Sequence, residues 1–563
     1  MAKLRPILIK GNLVLLFLCN AISGIAQQWG DYTLYSLQNG TSTQLIDTNN
    51  LVFKTWTHGN SARTGYSSYL MPGGVLWRSV NNTGNALSGG GVTGRIQKIS
   101  WDGTLLWDFT YSGLTYCLHH DFCPLPNGNV LLISYDVKSA TEAVAAGCST
   151  NISIWSEKVI EVKPNGATGG TIVWEWKLWD HLVQDLYPEK SNYQTSVQEH
   201  PELLNINFKS KKDWIHMNGI DYNPILDQIA LSSHNLNEWY IIDHSTSTAE
   251  AASHQGGNSG KGGDFLYRYG NPSAYGMSGS TVLNVTHDAH WIPEGVPNAG
   301  RLVGFNNKGI SSNRSSVDQI DLPQTGYTYE RTSGNAFTPA SYTERHACNG
   351  GSQNMSNSQQ LPNGNMLVCI AQSGLIYEVN PAGNTIWSFS AAGNVPQAFR
   401  YSACYLSLEE SPIPVITVED GRLVSSSAAS YQWYRNGQLI PEATLQTYEP
   451  TSSGIYLVRT SDSSACAYQY AQGLKYELTV TGMHEANHPE LFKIFPNPGN
   501  GQFYIQSDTP VESIRVWDTS GRSVSGKLNN NCLDLSHTLP GVYFLEITNK
   551  ANETIYQKVL IQN

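Results

Sequence analysis

The sequence predicts an all-β protein whose largest part is a β-propeller, and three observations lead there. Charged residues make up only 14 % of the 563 residues, while Gly 51, Tyr 30 and Trp 15 are plentiful. That is the composition of a turn-rich β-protein, not of a coiled coil, a helical bundle or a disordered chain. A loose repeat runs through residues about 40–405. Finally, no stretch after the N-terminal leader reaches 18 apolar residues, so no membrane-spanning helix is expected.

One half of the repeat is a tight turn entering a buried strand. It appears as LMPGGVLW at Leu70, LPNGNVLLIS at Leu125, DYNPILDQIALSS around Tyr222, IPEGVPNAGRLVGF at Ile292 and LPNGNMLVCI at Leu361. The other half is a strand, a glycine turn and a Trp-bearing strand, as in ISWDGTLLWDF (99–109), EVKPNGATGGTIVWEW (161–176) and EVNPAGNTIWSF (378–389). The turns begin 55, 97, 70 and 69 residues apart, each long enough for a four-stranded sheet. Repeats of this kind are propeller blades. The 97-residue interval holds an insertion, 179–208, with helical patches, expected as a lid over the channel mouth.

The flanking segments have other textures. Lys3, Arg5 and Lys10, then LVLLFL (13–18), then Gly24-Ile25-Ala26 read as a signal peptide over 1–26. Removing those three cations takes the formal net charge from −11 to −14. Outside the leader, Lys211-Lys212 is the lone basic cluster, which excludes a nucleic-acid-binding face. The propeller is bounded at 27–408. Residues 409–482 alternate like an immunoglobulin-type sandwich, with Trp433 at the core position and Tyr456 before the late strand. With Cys466 alone there, the usual inter-sheet disulfide is missing, and the segment is expected as a spacer. Residues 490–563 carry short strands between Pro/Gly/Asn turns and read as a small β-sandwich.

The repeat also selects residues. At the position five or six residues before each turn stand Gly65, His120, His216, His287 and Ser356. First strands line a propeller's channel, so equivalent positions converge near its axis. Three imidazoles there invite two chemistries. HHD (119–121) and HDAH (287–290) supply metal-ligand types. Alternatively, a neutral imidazole is a nucleophile while its neighbours act as acid, base or anion donors. Eight cysteines remain after Cys19, an even number that favours disulfides in an exported chain. Cys117 and Cys123 bracket the HHD motif and are the expected bridge.

The motifs HHDFCPLPNGN, DWIHMNGIDYNPILDQIALSS, WYIIDHST, LYRYGNP and HDAHWIP resemble the arylsulfate sulfotransferase family across about 350 residues. The resemblance implies an exported six-bladed β-propeller. The expected fold is thus a six-bladed propeller followed by an immunoglobulin-like β-sandwich and a small C-terminal β-sandwich. It implies transfer of a sulfuryl group from a phenolic sulfate to a phenol, with no nucleotide donor and no cofactor or metal, by a ping-pong route through a sulfohistidine. By motif, His287 is the nucleophile, His120 and His216 are further catalytic histidines, and Asn218 helps hold the anion. His119 and His234 complete the substrate-binding set. His234 stands where the family pattern has an Arg, and Arg268 and Arg345 are candidates for the missing charge. A non-catalytic propeller binding a sulfated or phenolic ligand, and a metal-dependent hydrolase on the same His/Asp set, are the alternatives. The C-terminal segments FKIFPNPGNGQFYI, IRVWDTSGR and LPGVYFLEI resemble the sorting domain of the type IX secretion system. That resemblance implies secretion or display at the cell surface, with the type IX machinery as a partner.

Overall fold

The computed structural model describes residues 30–408, 412–478, 492–507, 509–550 and 554–562. The proposed signal peptide lies outside them. Six four-stranded antiparallel sheets follow one another through the large domain. Their inner strands are β1 (Thr64–Met71), β2 (Tyr116–Pro124), β3 (Met217–Asn223), β4 (Thr286–Trp291), β5 (Asn357–Gln360) and β6 (Ala398–Tyr401). The PNG and PGG turns lead out of inner strands, and the Trp strands are outermost, where Trp107, Trp174 and Trp387 are buried.

The repeat shows five turns because the sixth sheet is assembled differently. Its inner strand β6 comes from the far end of the domain and pairs antiparallel with Tyr32–Ser36, matching Tyr32 to Tyr401 and Leu34 to Phe399. That sheet lacks the turn that marks the others.

Every joint between neighbouring inner strands is closed by a side chain. Ser67 and Tyr69 of β1 donate to Asp121 of β2, which also accepts from the Ile220 N–H of β3 at 3.4 Å. Asp221 accepts from Trp291 N–H of β4 at 2.9 Å, and Asp288 from Ser358 N–H of β5 at 3.0 Å. Asn357 and Gln359 each make paired bonds to the β6 backbone at Ala398 and Arg400. The Tyr401 hydroxyl accepts from Leu70 N–H and returns the ring to β1. A backbone N–H at a sheet edge is costly to bury unpaired, so these bonds close the ring without an open edge.

The insertion 179–208 contains two three-residue 3₁₀ turns and no longer helix. Leu182, Val183, Leu204 and Ile206 are core residues, so this expected lid is in large part packed wall. Its apolar spacing serves burial rather than a helical face.

Strands between residues 416 and 476 form the two-layered sandwich around Trp433 and Tyr456. It packs with the propeller as one compact unit comprising residues up to 449 and 454–475. Cys404 is bridged to Cys466, with Cα atoms 6.0 Å apart, and Arg459 pairs with Glu294 at 3.5 Å. The sandwich is therefore fastened to the propeller and is not a free spacer. The expected Cys117–Cys123 bridge does not form; both are free. They face Tyr135 and Leu131, four residues apart on the paired strand, so about 13 Å separates them, well beyond disulfide reach. The C-terminal unit stacks two four-stranded sheets over Phe503, Leu533, Leu545, Ile547 and Val559.

The Cys404–Cys466 bridge closes a 62-residue separation. Chain-entropy arguments assign such a bridge about 4 kcal/mol. Cys404→Ser is expected to lower the midpoint of thermal unfolding under oxidising conditions; an unchanged midpoint, read by calorimetry, would remove the bridge from the stability account.

Candidate active site

The inner strands are irregular where the histidines stand. β2 is bulged between Leu118 and Phe122, β3 between Met217 and Gly219, β4 between His287 and His290, and β1 between Thr64 and Ser68. His120 and His216 adopt left-handed backbone, φ 51° and 55°, as do Asp288 at 60° and Ser356 at 83°. Non-glycine residues pay for this conformation, and it recurs at functional sites. A bulge breaks strict alternation, so His120 can face the channel while Asp121 turns to the joint with β3.

The rings make a continuous row. His119 and His120 have centroids 5.2 Å apart, His120 and His216 4.7 Å, His216 and His234 5.2 Å, and His234 and His287 5.6 Å. The structure thus brings together His120, His216, His234 and His287. His119 lies behind His120, buried and stacked on Tyr135 at 3.8 Å.

Hydrogen bonds assign several ring nitrogens. Met355 N–H donates to His287 Nε2 at 3.0 Å, so that nitrogen carries a lone pair. His287 Nδ1 must then donate to Asn307 Oδ1 at 2.7 Å. Asn307 is itself fixed, donating to Ser352 and Met355 carbonyls. His216 Nδ1 donates to Asp213 at 2.8 Å, and His234 Nδ1 meets Asn235 Oδ1 at 2.9 Å. His119 bridges a buried carboxyl to the row: Nε2 lies 2.8 Å from Glu157 and Nδ1 2.9 Å from His120 Nδ1.

Burial dominates the electrostatics. It holds His120 and His287 well below the usual imidazole range, with the neighbouring imidazoles pushing the same way. Burial likewise takes His119 down to about 3 and His234 to about 4. These four rings are therefore neutral at pH 7. Burial raises Glu157 well above the ordinary carboxyl range.

A match to the arylsulfotransferase family covers residues 79–401, more than half of the chain. The chain belongs to the arylsulfotransferase family. Residues 493–562 match a secretion system C-terminal sorting domain, which directs export through the type IX system to the surface or the medium. No helix among the described residues is long and apolar enough to cross a membrane. No curated protein matches the chain. Solved structures similar to it include a protein of unknown function from Bacteroides caccae, at 11 % identity over 66 % of this chain and 98 % of that one, TM-score 0.38. Another is a periplasmic gluconolactonase of Pseudomonas aeruginosa, at 12 % identity over 78 % and 99 %, TM-score 0.34.

The structure gives several of the expected site residues other partners. Asn218 is buried, donating one amide N–H to Thr286 O at 2.8 Å and accepting from Ser232. It holds the residue next to His287. Arg268 and Arg345 do not supply the charge missing at His234. Arg268 is consumed by Glu238 and the carbonyls of Pro201 and Leu203, and Arg345 by Asp318 and the Gly309 carbonyl. Both lie on the fourth strands of their sheets, far from the inner row. Exposed Lys211 adds a smaller repulsion to the burial and the His216 charge that hold the His234 ring below its usual range. The carboxylates of HHD and HDAH serve the ring joints, and His290 is the counter-ion of Asp288 and of Asp221. Burial opposes its charge, but Asp288 and Asp221 raise it to about 9.

A glycine loop, 89–91, covers the row and was not singled out by sequence. A Cβ on Gly91 would lie 2.0 Å from the His120 ring, and its φ is +69°; one on Gly90 would lie 2.8 Å from His216. The Tyr135 hydroxyl donates to the Gly90 carbonyl at 3.2 Å. Gly91→Ala is expected to reduce activity at least 10-fold and cost about 1–2 kcal/mol for φ alone. Gly103→Ala, with φ +97° in open space, is expected to cost stability but spare activity. Parallel unfolding and rate measurements on the two variants separate strain from displacement of His120.

Proposed function

We propose that this arylsulfotransferase moves a sulfuryl group from a phenolic sulfate to a phenol by ping-pong transfer through a sulfohistidine at His287. The observation that carries the reading is the tautomer of His287, which is neutral, oriented by Asn307 and presents its lone pair at Nε2. In the first half-reaction the Nε2 lone pair forms an N–S bond as the S–O bond to the aryl oxygen breaks. The Met355 N–H must release Nε2 for this, so the donor displaces that contact. The departing phenolate takes a proton from His120. In the second half-reaction an acceptor phenol returns a proton to His120 and its oxygen takes the sulfuryl group, freeing Nε2. Positioning and charge stabilisation supply most of the rate, as in phosphoryl transfer.

His119 and Glu157 explain how a ring held neutral can exchange protons. With Glu157 ionised, its carboxylate accepts from His119 Nε2, His119 Nδ1 accepts from His120 Nδ1, and His120 Nε2 is a base. With Glu157 protonated, each proton moves one step and His120 Nε2 becomes an acid. The proton taken from phenol thus ends on Glu157, and no buried imidazolium is needed. The observed distances suit either arrangement. His216 and His234 line the space between His120 and His287 and hold the sulfate oxygens, with Lys211 drawing the anion in.

The deciding experiment incubates the protein with a chromogenic aryl sulfate in chelator, with and without phenol. Phenol-dependent release is expected, and a donor-only incubation should place one SO3 on His287 by mass spectrometry. His287→Ala should lose at least about 10³-fold in rate. Release without phenol would indicate hydrolysis, and loss of activity in chelator would indicate a metal enzyme. Glu157→Gln should lower kcat by about 10²-fold with KM nearly unchanged.

His234 sets a pH dependence. Its neutral form prevails above about pH 4, so donor KM should fall as pH drops towards that value and the ring gains a proton. His234→Arg installs permanent charge and should lower donor KM about 10-fold at pH 7 while flattening the pH profile. A profile unchanged by the substitution would take His234 out of anion binding.

A further inference from the structure

We propose that His181, His254 and Asp264 form a binding site for a divalent transition metal, separate from the imidazole row. Nδ1 of His181 lies 2.8 Å and Nδ1 of His254 2.7 Å from the same oxygen, Asp264 Oδ1. The three donor atoms lie within 4.8 Å of one another. A carboxylate oxygen only accepts, so each Nδ1 facing it needs a proton or a shared cation.

The surroundings favour the cation. His181 Nε2 lies 2.8 Å from the Ala251 carbonyl and must donate to it. A metal ion taking the place of the Nδ1 proton would find the ring already oriented by that bond, as metal-bound histidines are. The ring is further fixed by stacking on Trp176 at 5.8 Å and 7°, and the Trp176 indole N–H donates to the Gly263 carbonyl at 2.7 Å. Gly263 is required by space: a Cβ there would lie 2.0 Å from the Ala251 oxygen and 2.6 Å from His181 Nε2. The loop carrying His254 and Asp264 is wound tightly enough that the residue before Asp264 has no room for a side chain.

Two imidazole nitrogens and one carboxylate oxygen suit zinc and its neighbours, with a fourth position left to solvent. Ligands of a tetrahedral zinc ion stand roughly 3.3 Å apart, from bond lengths of about 2.0–2.1 Å. The observed separations must open by about half an ångström, and the His254 side chain, 58 % exposed, is free to turn. His181 and Asp264 are buried and preset. A bound ion would clip the 179–208 insertion, which carries His181, to the 244–264 loop.

The test uses the full chain without a polyhistidine tag, stripped with chelator and titrated with Zn²⁺ by calorimetry and with Co²⁺ by visible absorption. Wild type and His287→Ala should share a tight equivalent that His254→Ala lacks, because His287→Ala perturbs the imidazole row and leaves this site intact. Zn²⁺ should raise the unfolding midpoint by several degrees in the first two proteins and not in His254→Ala. Equal stoichiometry in wild type and His254→Ala, or no Zn²⁺ binding tighter than about 10 μM in wild type, would overturn the site and leave an ion-paired triad. His254 is on the surface, so its variant folds whether or not Asp264→Asn does.

Discussion

Side-chain hydrogen bonds at the six joints of the inner ring, five of them to backbone, are the constraint on which the site depends. Inner strands of neighbouring sheets do not share a ladder, so their edge N–H groups need other partners. Asp121, Asp221 and Asp288 supply them at successive joints, and Asn357, Gln359 and Tyr401 complete the ring. The same carboxylates explain the bulges. A strand that must send Asp121 sideways and His120 inward cannot keep strict alternation, and left-handed backbone at His120 is the result. Joint residue and channel histidine are thus neighbours in sequence because one irregularity serves both.

The charge balance follows from this. Burial raises Asp121 to about 6, and the protonated His290 offsets Asp288 and Asp221. With those charges settled in the wall, burial leaves His119, His120, His234 and His287 neutral at pH 7. In the proposed reaction the lone pair goes to an electrophilic sulfur, and Glu157, set one ring further back, would absorb the proton.

What the sequence disclosed was whatever repeats. His120, His216 and His287 sit at one phase of the turn-and-strand pattern, and the pattern places them on inner strands. Membership of the arylsulfotransferase family and the sorting domain were legible from several separate motifs. Glu157, Asn307 and Met355 were not, because they come from other strands and loops and meet the row only through the closed ring; Asp213, in the DWIHMN motif, meets His216 locally, three residues on. The sixth sheet escaped for a related reason, being split between residues 32–57 and 398–401. Cys117 and Cys123 misled because closeness in sequence on an extended strand is distance in space. Cys404 and Cys466 pair across what composition marks as a domain boundary.

The pairing of Tyr32–Ser36 with Ala398–Tyr401 also bears on when a chain acquires its chemistry. These partners are separated by more than 360 residues, about as non-local as a contact in this domain can be. Such contacts pay their loop-closure entropy late and make folding slow. The joints on either side of β6 cannot form before that strand arrives, and the Met355 and Ser356 backbone that faces His287 lies just before the strand they flank. A partly synthesised or partly exported chain therefore holds its histidines without a registered channel. Sulfuryl transfer, on this account, begins only with ring closure.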